Sequence, residues 1–440
     1  VSAESVSRGA GLALERLRFG ALADPWRLLF LALVGVLAYL TVVPLVILLL
    51  ASLRDGRGGW TLANFVTMFT SPSFLLPVQN TLIVALAVGA LAALVGTPLA
   101  WLVARTDLPL CRLVQFLVIC SYVTPPFLAA NAWVLLAGPN AGWLNRAWQA
   151  LSGSGEPLFN VFSLHGLIFV LFLYTFPFTF IGVSSALQLL SADTEEAAAI
   201  LGANPWHTMK DITLPLALPA ILSGFTLALL ESITVFGAPA MLALPARLHT
   251  VTTRMYGLFD YPPQEHLAAA YALPLLLATA LLLYLQRRIL GRRGFATITG
   301  KAGTQRLVRL GPWRYPALAA ALAVVALAVL LPYAQMLVTS VSKAWGQPPG
   351  PQNLTLDNYQ FLFTYPAAQV ALLNSLKLAV LTATLGLALA LGIAYVIRHR
   401  LVPGGGLLAF LAMSPMVVPS IVLAVALFVI YTNPALRLYG

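Results

Sequence analysis

From residue 27 onward, long apolar runs alternate with short polar connections. A helix needs about 20 consecutive apolar residues to cross a bilayer. Nine runs of that order occur, at 27–51, 78–104, 113–137, 165–190, 216–236, 267–286, 315–340, 371–397 and 407–431. The pattern predicts an all-α polytopic membrane protein with about nine spans.

The polar and proline positions repeat. An ungapped shift of 294 residues pairs Thr61-Leu62-x-Asn64 with Thr355-Leu356-x-Asn358, and Phe69-Thr70-x-Pro72 with Phe363-Thr364-x-Pro366. The same shift pairs Asn80 with Asn374, Pro109 with Pro403 and Pro125 with Pro419. Upstream, a shift of 288 aligns Pro44 and Ser52 with Pro332 and Ser340, so the second copy carries a six-residue insertion. Chance matching of Leu and Ala does not produce pairs of this kind in loops as well as spans. One period holds six spans, an even number, which gives two copies of parallel topology related by an axis along the membrane normal. The division expected is 1–305 for the first repeat and 306–440 for the second. At the same offset the counterpart of Glu196 would fall at about residue 490, past Gly440. The second repeat is therefore expected to be incomplete, and the chain to be a piece of a longer two-repeat protein.

Composition agrees with the membrane reading. Hydrophobic residues make up 60% and charged residues 9%, and the mean hydropathy is +0.88, whereas soluble domains carry about 25% charged residues. With the N-terminus inside, seventeen Lys and Arg fall in inner segments and seven in outer ones, eight of the seventeen within 287–314. This bias predicts a cytoplasmic N-terminus and puts 191–216 in the cytoplasm. Topology and anionic headgroups account for the net charge of +11 without a nucleic-acid partner. The mixed-charge start of the chain does not read as a signal peptide. Cys111 and Cys120, nine residues apart, read as packing residues.

One polar island interrupts this chain: Glu196-Ala-Ala-Ala-Ile-Leu-Gly202-Ala-Asn-Pro-Trp-His-Thr-Met-Lys-Asp-Ile212-Thr-Leu214-Pro215. Asp193 and Glu196 stand in the capping-box relation, and acidic residues suit the positive end of a helix. Ala197 to Ala199 favour helix and give a narrow profile. Gly202 permits the left-handed turn that ends a helix, and Asn204-Pro205 reads as the start of a second short one. Pro215 and Pro219 are expected to mark re-entry into the bilayer.

The spacing Glu196-Ala197-Ala198, three residues, Gly202, nine residues, Ile212-x-Leu214-Pro215 resembles the cytoplasmic loop of binding-protein-dependent ABC importer permeases. The fused two-repeat form is similar to the ferric-iron branch, as are Leu230-Glu231-Ser232 to Phe236-Gly237, Leu244-Pro245-Ala246-Arg247, Thr252-Thr253 and Thr299-Gly300-Lys301; related branches carry phosphonate, polyamines or thiamine. The resemblance implies an ABC importer transmembrane domain in a bacterial inner membrane, a transport subunit rather than an enzyme. A P-loop ATPase, expected as a dimer, would grip Glu196, Ala197, Ala198 and Gly202, with Ile212, Leu214 and Pro215 fixing the loop to the next span. It implies no cofactor on this chain, ATP–Mg in the partner, and a periplasmic binding protein delivering substrate to outer loops 52–77, 138–164 and 237–266.

Other candidates are fewer. Glu231 lies within a span, where a charge costs about 2.5–3.5 kcal/mol on insertion scales, so it should face the bundle interior. A place on the translocation path or gate and a structural hydrogen bond between helices both remain open. Lys377, near a span end, can snorkel to the interface. His249, Asp260, Glu265 and His266 match no metal spacing. Gly294 to Gly300-Lys301 fails as a phosphate loop: five residues separate the glycines and Ala302 stands where Ser or Thr is required. An ion-coupled carrier, the rival of another class, would show several buried ionisable residues along its spans.

Overall fold

Prolines decide where the helices of this chain widen, bend and stop. The computed structural model describes residues 25–56, 58–190, 193–290, 307–347, 350–416 and 418–431, and its regular elements are all helical. In chain order they are α1 (Pro25–Ser52), α2 (Ala63–Thr70), α3 (Pro72–Arg105), α4 (Cys111–Val123), α5 (Pro126–Ala137) and α6 (Trp143–Ser152). There follow α7 (Leu164–Leu189), α8 (Asp193–Ile200), α9 (Trp206–Thr234), α10 (Gly237–Leu242), α11 (Val251–Gly257) and α12 (Glu265–Leu290). The last are α13 (Gly311–Ser340), α14 (Asp357–Thr364), α15 (Pro366–Arg398), α16 (Gly405–Met413) and α17 (Ser420–Tyr431).

Three long helices contain a widened π turn, and each ends two residues before a proline. Ala38–Val42 precedes Pro44, Met209–Thr213 precedes Pro215, and Ala326–Leu330 precedes Pro332. A proline cannot donate to the carbonyl four residues back and its ring clashes with that carbonyl; an opened turn relieves both. The helix then continues instead of breaking.

Pro77, Pro98, Pro177, Pro219 and Pro274 sit inside α-helices without such a turn, whereas at Pro125 the chain bends. Thr124 and Pro125 are extended, at ψ 122° and 133°, and α4 meets α5 at 103°. Among the described residues seven helices are long and apolar enough to cross a membrane, eight if this bent pair is one span. The ninth expected run does not meet this length test as one helix. The run at 407–431 is two short helices, α16 and α17, separated by a segment holding Pro415 and Pro419. It is the repeat counterpart of the bent pair: α16 and α17 begin 294 residues after α4 and α5.

The repeat is visible in other details. α14 and α15 begin 294 residues after α2 and α3. A short antiparallel bridge pairs Arg54 with Trp60, and its counterpart pairs Ser342 with Leu354, so the six extra residues lie inside the second hairpin. Buried Asn353 holds that longer turn by accepting from the Ala344 N–H at 3.0 Å and donating to its carbonyl at 3.1 Å. Asn64 donates to the Arg54 carbonyl at 2.8 Å and Asn358 to the Ser342 carbonyl at 2.9 Å, which explains why an Asn recurs in both copies.

The helices form two compact units, one of residues 54–359 and one of residues up to 53 and from 360 on. Within the larger unit α13, the leading span of the second copy, packs on α4 and α5 of the first. Within the smaller, α1 from the first copy packs with α15, α16 and α17 from the second. The leading spans are thus exchanged between the copies. The larger unit is centred on α3, α7 and α9, and glycine lets them approach: a Cβ on Gly96 would meet the Phe176 carbonyl oxygen at 2.9 Å, and one on Gly89 the Phe225 ring at 3.0 Å. Such small-residue contacts are how helices associate where lipid removes the hydrophobic driving force.

Candidate functional site

The polar island folds as a helix, a glycine turn and a long helix. α8 carries Ala197 and Ala198, and the chain reverses at Gly202, whose φ is +88°. The Ala203 N–H donates to the Ala198 carbonyl at 2.9 Å, closing the six-residue ring of a Schellman end. Asn204 then accepts the His207 N–H at 2.9 Å, an N-cap for the helix that follows. From there one continuous helix runs through the π turn into the span. The second helix starts at Asn204-Pro205 as the sequence predicts, and the π turn Met209–Thr213 carries it past Pro215 without a break into the long helix.

The tip of this element exposes apolar side chains. Ile200 is 85% exposed, Leu201 88% and Trp206 64%, on both sides of the glycine turn. Ile200 and Leu201 precede the turn and Trp206 follows it, so three large apolar side chains stand exposed on an otherwise polar segment. Of the residues singled out by spacing, Ala197 and Gly202 are exposed and Ala198 is half-buried beside this tip. Glu196 lies on α8, but its side chain, like those of Asp193 and Thr194, is outside the described residues. Ile212 is half-buried, whereas Leu214 and Pro215 are exposed; the buried residue between them is Thr213.

Thr213 belongs to the contact that anchors the loop. Its hydroxyl donates to Glu195 Oε1 at 2.7 Å, and Glu195 Oε2 lies 3.6 Å from Nη1 of Arg105, the last residue of α3. Arg105 is 1% exposed, and its Nη2 donates to the Leu190 carbonyl at 3.2 Å. Its own carbonyl accepts the Val308 N–H at 2.8 Å, and Asp107 Oδ1 accepts the Leu310 N–H at 2.8 Å. One buried guanidinium thus joins α3, the end of α7 and α8, while its backbone holds the strand-like strap 307–310 that leads into α13. Thr213→Val, which removes only the hydroxyl, is expected to cost about 1 kcal/mol of loop stability. Faster limited proteolysis at 193–204 with cleavage elsewhere unchanged would show it.

Spacing could not reveal this anchor, because Arg105, Glu195 and Thr213 come from separate segments. In the sequence Arg105 is one of the basic residues of the inner segments and carries no other signal. The phosphate-loop near-match at 294–301 and most of the basic segment around it lie outside the described residues.

At the opposite end of α9 a knot of threonines organises the segment 235–254. Thr252 donates to the Val235 carbonyl at 2.9 Å, Thr81 accepts the Val251 N–H at 2.9 Å, and Asn80 donates to the His249 carbonyl at 3.0 Å. Thr250 and Thr253 form a reciprocal cap on α11. His249 carries a buried Nδ1 without a hydrogen-bond partner. Desolvation, and secondarily the Arg254 charge, hold its pKa below 6.5. The folded protein therefore disfavours the imidazolium. Stability should be intact above pH 6.5 and decline as pH falls below it, with a flatter profile for His249→Gln in thermal unfolding. Glu231 sits three residues before the end of α9, half-buried, and its backbone carbonyl accepts the Val235 N–H at 2.8 Å.

Residues 96–294, a little under half the chain, match the family described as binding-protein-dependent transport system inner membrane component. The match spans α8, Gly202 and α9. The ferric transport system permease protein FbpB of Actinobacillus pleuropneumoniae is 24% identical over 399 residues, covering 86% of this chain and 57% of that protein. The sulfate transport system permease protein CysW of Escherichia coli K12 is 26% identical over 53% of this chain and 78% of its own. The molybdenum transport system permease protein ModB of Mycobacterium tuberculosis is 31% identical over 40% of this chain and 64% of its own. The chain spans about three-fifths of the length of the ferric permeases it matches. A bacterial alginate ABC transporter structure aligns with a TM-score of 0.47 and 18% identity, over 65% of this chain and 97% of that one.

Proposed function

We propose that this chain, whose residues 96–294 belong to the binding-protein-dependent permease family, is the transport subunit of an ATP-driven importer in a bacterial inner membrane. The observation that carries the reading is the exposed apolar tip Ile200, Leu201 and Trp206 on a helix end anchored to three segments. A separate P-loop ATPase covers that tip, with Ala197, Ala198 and Gly202 supplying a profile thin enough to enter a cleft. Ile212, Leu214 and Pro215 lie within α9, so a push on the tip travels along a continuous helix. ATP and magnesium are held by the partner, and the N-terminus and loop face the cytoplasm, as the Lys and Arg bias requires. A periplasmic binding protein meets the opposite loops, and Glu231, near that end of α9, lines or gates the path.

The cargo proposed is ferric iron, supported by the long alignment with FbpB across both repeats. A rival oxyanion cargo is favoured by the higher identity of ModB and CysW over shorter stretches. Leu201→Asp in the complete importer tests the docking reading. Co-purification of the ATPase and uptake of radiolabelled ferric iron should both fall at least about tenfold, the scale of one desolvated interface charge. Unchanged co-purification would refute it. Uptake of sulfate or molybdate in place of iron by the unsubstituted importer would refute the iron assignment alone.

A further inference from the structure

Beneath the loop anchor lies a cavity of about 570 Å³. Its walls come from the end of α3 (Trp101, Arg105), from the loop (Glu195, Thr208, Thr213 and neighbours) and from the strap (Arg309 with the two residues before it). Arg105 is 1% exposed, yet its Nε and Nη1 have no hydrogen-bond partner. The Glu195 oxygen 3.6 Å from Nη1 is beyond hydrogen-bond range, and the other Glu195 oxygen is taken by Thr213. A guanidinium has five N–H donors and cannot lose its charge, so burying it with donors unmet is costly. Among the described residues the cavity lining holds two guanidiniums and one carboxylate, an excess of one positive charge. The nearby carboxylate of Asp107 is engaged by the Leu310 N–H.

We propose that this cavity is a binding site for a phosphate-bearing anion, which supplies the acceptors Arg105 lacks and bridges it to Arg309. Phosphate matches guanidinium geometry and charge better than water does. The volume takes a phosphate together with an ester group against the Trp101 wall. The source is either free inorganic phosphate or its small esters, or the headgroup of an anionic lipid entering beside α3. Bound there, the anion ties the root of the docking loop to the strap between the two repeats. That consequence rests on the importer reading; the binding does not.

The test therefore uses the purified full chain without ATPase, in nanodiscs of neutral phosphatidylcholine. Thermal unfolding is followed while inorganic phosphate is titrated against chloride at matched ionic strength. A second arm replaces part of the lipid with phosphatidylglycerol. A saturable rise in midpoint with phosphate marks a free anion; a rise in the phosphatidylglycerol discs alone marks a headgroup. Arg309→Gln, at an exposed position that folding tolerates, should weaken the effect about tenfold, one charge-assisted hydrogen bond. Glu195→Gln should strengthen it, because a competing negative charge is removed from beside Arg105, and a merely damaged site cannot produce that gain. Arg105→Gln should abolish it. The proposal is overturned if chloride acts as phosphate does, if neither arm shifts the midpoint, or if the Arg309 and Glu195 variants respond as the unsubstituted chain does.

Discussion

If the loop docks the ATPase as proposed, replacing Gly202 with valine should uncouple the importer while leaving the membrane bundle folded. An added Cβ at Gly202 meets nothing within 4 Å, so the substitution causes no clash. The damage is conformational: φ is +88°, where a β-branched residue costs about 1–2 kcal/mol or more. The Ala203–Ala198 hydrogen bond that closes α8 depends on that turn. Valine would instead prolong α8 or extend the turn, and Ile200 and Leu201 would no longer keep their places before it. A loss of 1–2 kcal/mol in the docked geometry weakens ATPase association about five- to thirty-fold. Asparagine adopts the left-handed region with far less strain, so Gly202→Asn should keep most association and uptake. Equal co-purification of the ATPase with the glycine, asparagine and valine proteins would show that the turn is not part of the docking element. The thermal midpoint should hardly differ among the three, because the loop contributes little to the α3–α7–α9 core.

Much of this architecture is written in local patterns. Apolar runs located the helices, and paired prolines and asparagines located the repeat, because each acts within its own turn: Asn64 and Asn358 clamp a hairpin in the same way in both copies. Gly202 and Asn204 were legible for the same reason, as helix ends use few residue types. What local pattern misjudged is the effect of proline. Pro215 looks like a boundary but sits inside a continuous helix, because a π turn absorbs it, while Pro125 looks equally internal and yields a 103° bend. Before Pro215 the residues Met209–Thr213 open into a wide turn, whereas before Pro125 the helix ends at Val123 and Thr124 is extended. Non-local relations left no trace at all. The exchange of leading spans and the meeting of Arg105 with Glu195 and Thr213 join segments whose spacing carries no period. The anchor had one indirect sign: Arg105 and Glu195 carry opposite charge at the ends of spans that leave the membrane on the same side.

At Gly224 the smallest possible substitution should have the largest structural effect. A Cβ there would lie 2.4 Å from Thr179 Cα, 2.7 Å from its Oγ1 and 2.8 Å from its Cβ. Two of those atoms are fixed to the backbone of α7, so a rotamer change cannot relieve the contact and the helices must separate. Gly96 of α3 also packs on Phe176 and Thr179, so a displaced Thr179 would disturb that contact as well. Overpacking of this kind costs about 1–3 kcal/mol, and more when backbone must move. Gly224→Ala should therefore lower the unfolding midpoint and the yield of folded protein. Gly182, on the same helix as Thr179, provides the contrast. Its added Cβ would meet only the Ala220 carbonyl oxygen, at an ordinary 3.8 Å. Alanine there removes glycine's helix penalty of about 0.5–1 kcal/mol and should raise the midpoint slightly. The same chemical change is thus expected to have opposite signs at two positions in one bundle. If Gly224→Ala melted at or above the unsubstituted chain, the close crossing of α7 and α9 would be wrong, and with it the path by which a push on the loop reaches the core.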